Sequence, residues 1–117
     1  MMKSQVALHI LRKAQNIRRV DVHLHTLFSD GKLAVADLLS HCHKANMKVV
    51  AITDHDTVNG VLQLHSFCDN EMAVIGGVEL SAYSETEPQI HLTGYFPKTT
   101  VYSSLQNRLG ERIRSIR

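Results

Sequence analysis

A chain of 117 residues has room for one small domain, and it is too short for a complete barrel enzyme of the roughly 250-residue kind. Its hydrophobic content of 44% and charged content of 21% are typical of a globular protein, and a formal net charge of +2 does not by itself indicate nucleic-acid binding. Eight histidines are the unusual feature of the composition, so their positions decide whether the sequence predicts a metal site.

The sequence carries no pattern of a signal peptide or a membrane span. Residues 1–20 lack a continuous apolar segment, and nowhere do about 18 apolar residues follow one another. Cys42 and Cys68 lie in helical patterns without a C-x-x-C spacing, which favours buried, reduced thiols over a disulfide. We therefore expect a soluble, cytoplasmic protein.

Residues 1–18 are predicted to form a short leading helix that precedes a domain at residues 19–117. Val6, Ile10 and Ala14 recur there at roughly helical spacing, with basic residues between and after them. A solvated face is the simplest interpretation of these basic residues, and contact with phosphate is the alternative.

Between Arg19 and Thr26, apolar and polar residues alternate strictly, which is the pattern of a β-strand. The polar face of this strand carries Asp21, His23 and His25. Two imidazoles two residues apart on one face can bind one cation, but a histidine on a strand is as often a hydrogen-bonded structural residue. Both interpretations are open at this point.

A Ser-Asp-Gly turn follows, and its Asp30 is either an ordinary turn residue or a further ligand. From Leu33 to Lys48 apolar residues recur at intervals of three and four, which predicts an amphipathic helix. His41 and His43 lie on or near its polar side and are interpreted as solvated. The apolar run from Val49 to Thr53 then completes a strand–helix–strand unit, whose two strands should be parallel.

The most informative segment is Ala51-Ile52-Thr53-Asp54-His55-Asp56-Thr57, in which an apolar run leads directly into a polar cluster. Parallel strands place their carboxyl ends at one edge of a sheet, so His25 and His55 should end neighbouring strands there. Such residues also cap helices and form turns, so this segment is not decisive alone. A second helix is predicted from Thr57, its cap, to Phe67.

Later strands supply two more candidate ligands. The strand predicted from Ala73 to Ser81 carries Glu79, which shares a face with Gly77 and can enter the same edge of the sheet. The strand predicted from Ile90 to Phe96 carries His91 near its start. Ligand-type residues beside four successive strands favour a metal site over chance.

The final segment is predicted to be a helix capped by Thr99 or Thr100. Apolar residues such as Leu105 and Leu109 recur at helical spacing, and its arginines, Arg112 among them, are interpreted as solvated. We expect the apolar face of this helix to stay uncovered.

Five segments together resemble, in order and spacing, the motifs of the PHP (polymerase and histidinol phosphatase) superfamily. They are Asp21-Val22-His23-Leu24-His25-Thr26, Ser29-Asp30-Gly31, Ala51-Ile52-Thr53-Asp54-His55-Asp56-Thr57, Gly77-Val78-Glu79-Leu80-Ser81 and Ile90-His91-Leu92-Thr93-Gly94-Tyr95. Within it the chain most resembles the stand-alone TrpH-like phosphoesterases, which hydrolyse nucleotide 3′,5′-bisphosphates and short RNA from the 5′ end. The sequence departs from the family at two helix ends, with Ala34 or Val35 for the usual Pro and Asn46 or Met47 for the usual Gly.

The resemblance implies an α/β fold, the amino-terminal portion of a distorted seven-stranded β/α barrel that is more than twice this length in the family. We expect about four mainly parallel strands with helices, preceded by the short leading helix. The later His and Asp-x-His ligands of the family are absent from these 117 residues. An open barrel edge predicts self-association.

The resemblance also implies the metal ligands of this chain. His23, His25 and Glu79 would hold a first ion, Glu79 and His91 a second, and Asp30 and His55 a third. Imidazole and carboxylate ligands suit Mn²⁺, Zn²⁺ or Fe²⁺ rather than Ca²⁺, so two or three such ions are the expected cofactors. Asp21 and Asp54 are expected to lie behind the ligands in the catalytic site and to orient the imidazoles.

The function implied is that of a metal-dependent phosphoesterase that hydrolyses phosphate esters of nucleotides or short RNA through metal-bound hydroxide. The expected partners are a phosphorylated small molecule, a nucleotide or short RNA, and no membrane. Two alternatives stay open. One is a non-catalytic metal-binding or accessory module, as PHP domains attached to DNA polymerases can be, and the other is a phosphatase of the histidinol-phosphate type.

Overall fold

The computed structural model describes residues 19–66 and 71–116, which form a four-stranded sheet with helices. The strands are β1 (Val20–Leu24), β2 (Val49–Ile52), β3 (Ala73–Ala82) and β4 (Ile90–Phe96). The helices are α1 (Val35–Lys44), α2 (Asn59–Leu62) with a 3₁₀ turn at Gln63–Ser66, and α3 (Tyr102–Ile116). The predicted leading helix at residues 1–18 lies outside the described ranges.

The strands lie in the order β1-β2-β3-β4, and the predicted mainly parallel sheet is confirmed. β2 is parallel to both β1 and β3, whereas β4 runs antiparallel to β3. In that antiparallel pair Ser81, near the end of β3, lies opposite His91, near the start of β4. The direction of β4 therefore brings His91 to the edge of the sheet where the three parallel strands end.

The hydrophobic core lies against the central strands. Every residue of β2 is at most 1% exposed, as expected for an apolar strand flanked by β1 and β3. Val50, Ile52 and Val78 from the sheet belong to one cluster with Leu39 of α1 and Leu109 of α3. Cys42 is a free cysteine in this cluster, and burial raises the pKa of its thiol. Cys68 lies outside the described residues.

Helix α1 is shorter than the predicted helix, because it ends at Lys44 rather than at Lys48. Asn46 adopts a φ of 60°, and the N–H of Met47 donates to the carbonyl of Cys42 over 3.0 Å, which closes the helix in the manner of a Schellman motif. Asn tolerates this left-handed conformation better than most residues other than Gly. Asn46 thus provides the left-handed turn that ends the helix.

The helix predicted from Thr57 starts later in the structure, and its predicted end at Phe67 lies outside the described residues. Helix α2 begins at Asn59 and ends at Leu62, and a 3₁₀ turn follows at Gln63–Ser66. Gly60 lies in its first turn, where a β-carbon would come within 2.8 Å of Oδ2 of Asp54. Only glycine leaves room at this position for the carboxylate of Asp54. The Thr57 hydroxyl accepts the N–H of Asn59 over 3.1 Å although the helix starts beyond it.

The expected uncovered face of the last helix is also wrong. Leu109 is 5% exposed and part of the core, and Tyr102 and Leu105 pack against it. A β-carbon at Gly76 would collide with the hydroxyl of Tyr102, so this glycine lets α3 approach β3 closely. The helix begins at Tyr102, beyond the predicted caps. No helix within residues 19–66 and 71–116 is long and apolar enough to cross a membrane.

Candidate metal centre

Six imidazole and carboxylate side chains meet at the edge of the sheet where β1, β2 and β3 end and β4 begins. They are the six predicted from the sequence: His23, His25, Asp30, His55, Glu79 and His91. Their ligand atoms form three overlapping groups, and within each group these atoms lie within 4.8 Å of one another. The strand ends thus assemble a set of donors that distant parts of the sequence supply.

The three groups match the implied grouping in part and extend it. They are His23 with His25 and Glu79, His25 with Asp30 and His55, and His55 with Glu79 and His91. The first group is the one that the resemblance implies. In the second, His25 joins Asp30 and His55. In the third, His55 joins Glu79 and His91.

Glu79 lies at the middle of this arrangement and is 3% exposed. Its Oε1 contacts Nε2 of His23 and lies 3.1 Å from Nε2 of His25. Its Oε2 lies 2.9 Å from Nδ1 of His91 and 3.5 Å from Nδ1 of His55. One buried carboxylate therefore faces four imidazoles, two at each oxygen.

Burial of the Glu79 carboxyl opposes its ionisation, but the neighbouring imidazoles more than offset that effect. Hydrogen bonds with His23 and His25, together with the charges of His55 and His23, lower the pKa of Glu79 below its ordinary value. At neutral pH the centre therefore contains a buried carboxylate anion. An anion among nitrogen donors suits a divalent cation.

Two ligand candidates, His25 at the end of β1 and Asp30 in the turn that follows, are joined by a hydrogen bond. Oδ1 of Asp30 lies 2.6 Å from Nδ1 of His25, and Oδ2 lies 3.2 Å from Nε2 of His55. The hydrogen bond with His25 lowers the pKa of Asp30, with smaller contributions from the charges of His25 and His55 and a smaller opposing effect of burial. Asp30 thus presents an ionised carboxylate between two imidazoles.

Asp54 positions the loop that carries Asp30. Its side chain is fully buried, and it accepts hydrogen bonds from the N–H of Thr26 at 2.6 Å, the hydroxyl of Thr26 at 2.7 Å and the hydroxyl of Ser29 at 2.7 Å. The sequence predicts that Asp54 orients an imidazole, and this role stays a prediction. The three hydrogen bonds that its side chain accepts here are with the loop that leads to Asp30.

Asp21 also contacts main chain where an imidazole was expected. Its Oδ1 accepts a hydrogen bond from the N–H of His23 over 3.2 Å. The structure places this exposed carboxylate against the backbone from which His23 projects. Its contact is therefore with the backbone of β1 at His23.

Arg112 is a residue near the centre that the sequence interpretation missed. Its Nη2 donates to the carbonyl of Ser81, and its Nη1 lies 3.3 Å from Oδ1 of Asp56. The same Asp56 oxygen accepts the N–H of Ser81 over 2.8 Å. Arg112 therefore ties α3 to the residue after His55 and to the end of β3. An arginine on the polar side of a helix gives no signal of such a contact in the sequence.

Gln106 makes a second tie from α3 to the same segment. Its Oε1 accepts the N–H of Val58 over 2.7 Å and the hydroxyl of Thr57 over 3.1 Å. The segment that follows His55 is thereby held from α3 at three residues in succession.

His41 and His43, which were not predicted to be ligands, are exposed on α1, as expected.

The backbone contacts of the ligand-bearing segments are equally specific. The N–H of Glu79 donates to the carbonyl of Asp54 over 2.9 Å, and the N–H of Asp56 donates to the carbonyl of Glu79 over 3.0 Å. These bonds extend the pairing of β2 and β3 past the end of β2, so His55 and Glu79 lie side by side.

Comparison with known proteins agrees with this geometry. The model of the PHP domain family matches residues 21–108 of the chain. A 5′-3′ exoribonuclease of Haemophilus influenzae is 30% identical over 102 residues, which are 81% of this chain and 36% of that protein. The chain thus spans about a third of the length of this curated relative.

Two solved structures share the fold. An amidohydrolase from Chromobacterium violaceum gives a TM-score of 0.66 at 22% identity, covering 80% of this chain and 32% of that one. A protein described as a candidate metal-dependent phosphoesterase from Bifidobacterium adolescentis gives a TM-score of 0.59 at 27% identity, covering 76% of this chain and 32% of that one. The four-stranded sheet corresponds to part of a larger barrel, and the chain belongs to the PHP domain family.

Proposed function

We propose that this chain forms the metal-binding part of a phosphoesterase that hydrolyses phosphate esters of nucleotides or short RNA. The observation that carries the proposal is the buried carboxylate of Glu79 in contact with four imidazoles. The names of two similar proteins, a 5′-3′ exoribonuclease and a metal-dependent phosphoesterase, support this class of substrate.

The residues present fit two or three divalent cations. Nitrogen donors mixed with ionised carboxylates favour Zn²⁺, Mn²⁺ or Fe²⁺ over Ca²⁺, which prefers oxygen ligands alone. Glu79 would be shared between two ions, and the contact of each of its oxygens with a different pair of imidazoles supports this. The proposed ligands are His23, His25, Asp30, His55, Glu79 and His91.

Cations bound there would supply Lewis-acid polarisation of the phosphate ester and activation of water. The chain's own residues supply the geometry. Asp54 fixes the loop of Asp30, and Arg112 and Gln106 fix the segment after His55. Asp21 fixes the backbone at His23. Such preorganisation matters because a displacement of about 1 Å can lower a rate on the order of 100-fold.

The similar proteins are more than twice as long as this chain, and we propose that the additional length supplies further ligands. The 117 residues alone should then hydrolyse a nucleotide bisphosphate or an aryl phosphate barely above background. A chimera in which this chain replaces the matching segment of the Haemophilus influenzae relative should be active with Mn²⁺ or Zn²⁺.

Assays of the chain and the chimera side by side test this proposal. The activity of the chimera should disappear on His23→Ala and persist on His43→Ala, since His43 is exposed on α1. Strong turnover by a monomeric 117-residue chain, abolished by His23→Ala, would show that the additional length is not needed. An inactive chimera that retains its metal would favour the second candidate, a metal-binding accessory module.

A further inference from the structure

We propose that Tyr95 is a positioning residue of the candidate metal centre. From the outer strand at the other edge of the sheet, it fixes the peptide between Val22 and His23. The inference rests on the proposed metal-binding function, because it concerns how His23 reaches Glu79. Tyr95 lies on β4 and His23 on β1, which are the two outer strands of the described sheet.

The peptide concerned lies in an irregular part of β1. Asp21 pairs with Val50 and Leu24 pairs with Ile52, so three steps along β1 correspond to two steps along β2. Val22 and His23 fall inside this bulge. A bulge disrupts the regular ladder, so its peptide groups need other hydrogen-bond partners.

Two side chains supply partners to the two ends of this one peptide. The Tyr95 hydroxyl donates to the carbonyl of Val22 over 2.7 Å, and the N–H of His23 donates to Oδ1 of Asp21 over 3.2 Å. A peptide group is planar, so bonds to its carbonyl and its N–H together set its rotation about the strand axis. The Cα of His23 is attached to that plane, and the direction of the imidazole towards Glu79 follows from it.

The reach of Tyr95 depends on the glycine beside it. Tyr95 pairs with Gly77 in the antiparallel register, and a β-carbon at Gly77 would lie 3.2 Å from Cδ1 of Tyr95. Paired residues of neighbouring strands point to the same face, which is also the face of Glu79. The ring of Tyr95 therefore passes over Gly77, which has no side chain to block it. Its hydroxyl then joins β4 to β1 on the face that carries Glu79.

A test without metal measures hydrogen exchange at the His23 amide by NMR in the 117-residue chain. Tyr95→Phe removes one hydroxyl and keeps the ring, so the amide should exchange about fivefold faster, the size expected for the loss of one hydrogen bond. Tyr83→Phe is the matched control, since Tyr83 is 72% exposed, and it should leave the exchange unchanged. Equal exchange in the wild-type chain and Tyr95→Phe would overturn the inference.

A second test asks whether the effect passes through His23. Titration of the metal-free chain with Co²⁺, followed by visible absorption, should show roughly tenfold weaker binding in Tyr95→Phe, the scale expected for residues that orient a ligand. In a His23→Ala background the same substitution should have no further effect. An equal loss in both backgrounds would overturn the inference. A wild-type chain that binds no Co²⁺ would overturn the proposed function, and the exchange measurement would still decide whether Tyr95 holds this peptide.

Discussion

The inner and outer parts of the candidate metal centre differ in how they are supported. The inner part lies at the end of β2 and on β3, where Asp54 is fully buried and Glu79 is 3% exposed. The outer part is built on β1 and β4, where the side chains of His23 and His91 are 54% and 48% exposed. Folding of the central strands alone thus places the shared carboxylate, whereas the outer imidazoles depend on fewer contacts.

Sheet position explains this difference. β2 and β3 each have a neighbour on both sides, and parallel pairing continues past the end of β2 as far as His55 and Glu79. Among the described strands β1 and β4 have one neighbour each, and β4 exposes Leu92 and Tyr95. We therefore expect substitutions in the inner part to affect both stability and metal binding, and those in the outer part to affect chiefly metal binding.

The largest effect is expected from Glu79→Gln. Loss of the shared carboxylate leaves the bound cations under-compensated, so metal affinity should fall by more than the roughly 10–100-fold that loss of an orienting contact costs. The melting temperature of the metal-loaded chain should fall with it. His43→Gln is the control, because His43 is exposed on α1. Equal effects of the two substitutions on metal content and melting would contradict the bridging role.

The next largest effect is expected from Asp54→Asn. The amide group replaces one acceptor oxygen by a donor, which cannot satisfy all three donors from Thr26 and Ser29. A buried hydrogen bond lost in this way costs about 1–3 kcal/mol in the free energy of unfolding. Metal affinity should fall about tenfold, as Asp30 loses its fixed position.

Asp37→Asn provides the control for that substitution, because Asp37 is exposed in the first turn of α1. Urea denaturation and metal titration of both variants make the comparison. A variant Asp54→Asn as stable as Asp37→Asn would show that Asp54 does not hold the loop.

The third effect is on stability alone, and it separates two glycines of the antiparallel pair, Gly77 of β3 and Gly94 of β4. A β-carbon at Gly77 would lie 2.7 Å from the carbonyl oxygen of Gly94 and 3.0 Å from Cγ2 of Thr53, whereas at Gly94 nothing lies within 4 Å. Gly77→Ala should therefore lower the free energy of unfolding by about 1–3 kcal/mol. Gly94→Ala should be neutral or stabilise by about 0.5 kcal/mol. Urea denaturation decides, and equal effects would contradict the close packing of β3.

The sequence predicted the convergence of the ligand candidates because strand periodicity and the βαβ rule determine which residues reach one edge of a sheet. His25, His55 and Glu79 follow from these local rules. His91 does not follow from these rules, because a parallel fourth strand would start at the opposite edge, and it is the antiparallel direction of β4 that brings His91 to the end of β3. The strand–helix–strand part of the fold could be predicted from the same rules, whereas the barrel was implied by the family resemblance.

The supporting contacts could not be predicted, because they join residues far apart in the chain by side-chain geometry. Asp54 contacts a loop 25–28 residues earlier, and Arg112 contacts Asp56 across 56 residues. Nothing in the local pattern distinguishes Arg112 from the exposed Arg108. The bulge in β1 is hidden by strict alternation, which predicts a regular strand.

Elemental analysis is the most direct test of whether the six side chains bind transition metal. The 117-residue chain, purified without chelators, should retain Zn, Mn or Fe in fewer than three equivalents, since the described ligands are shared between three groups. The matched control is the triple variant His23→Ala, His55→Ala, Glu79→Gln, which removes a member of every group. A metal content of the wild-type chain equal to that of the triple variant would contradict the account.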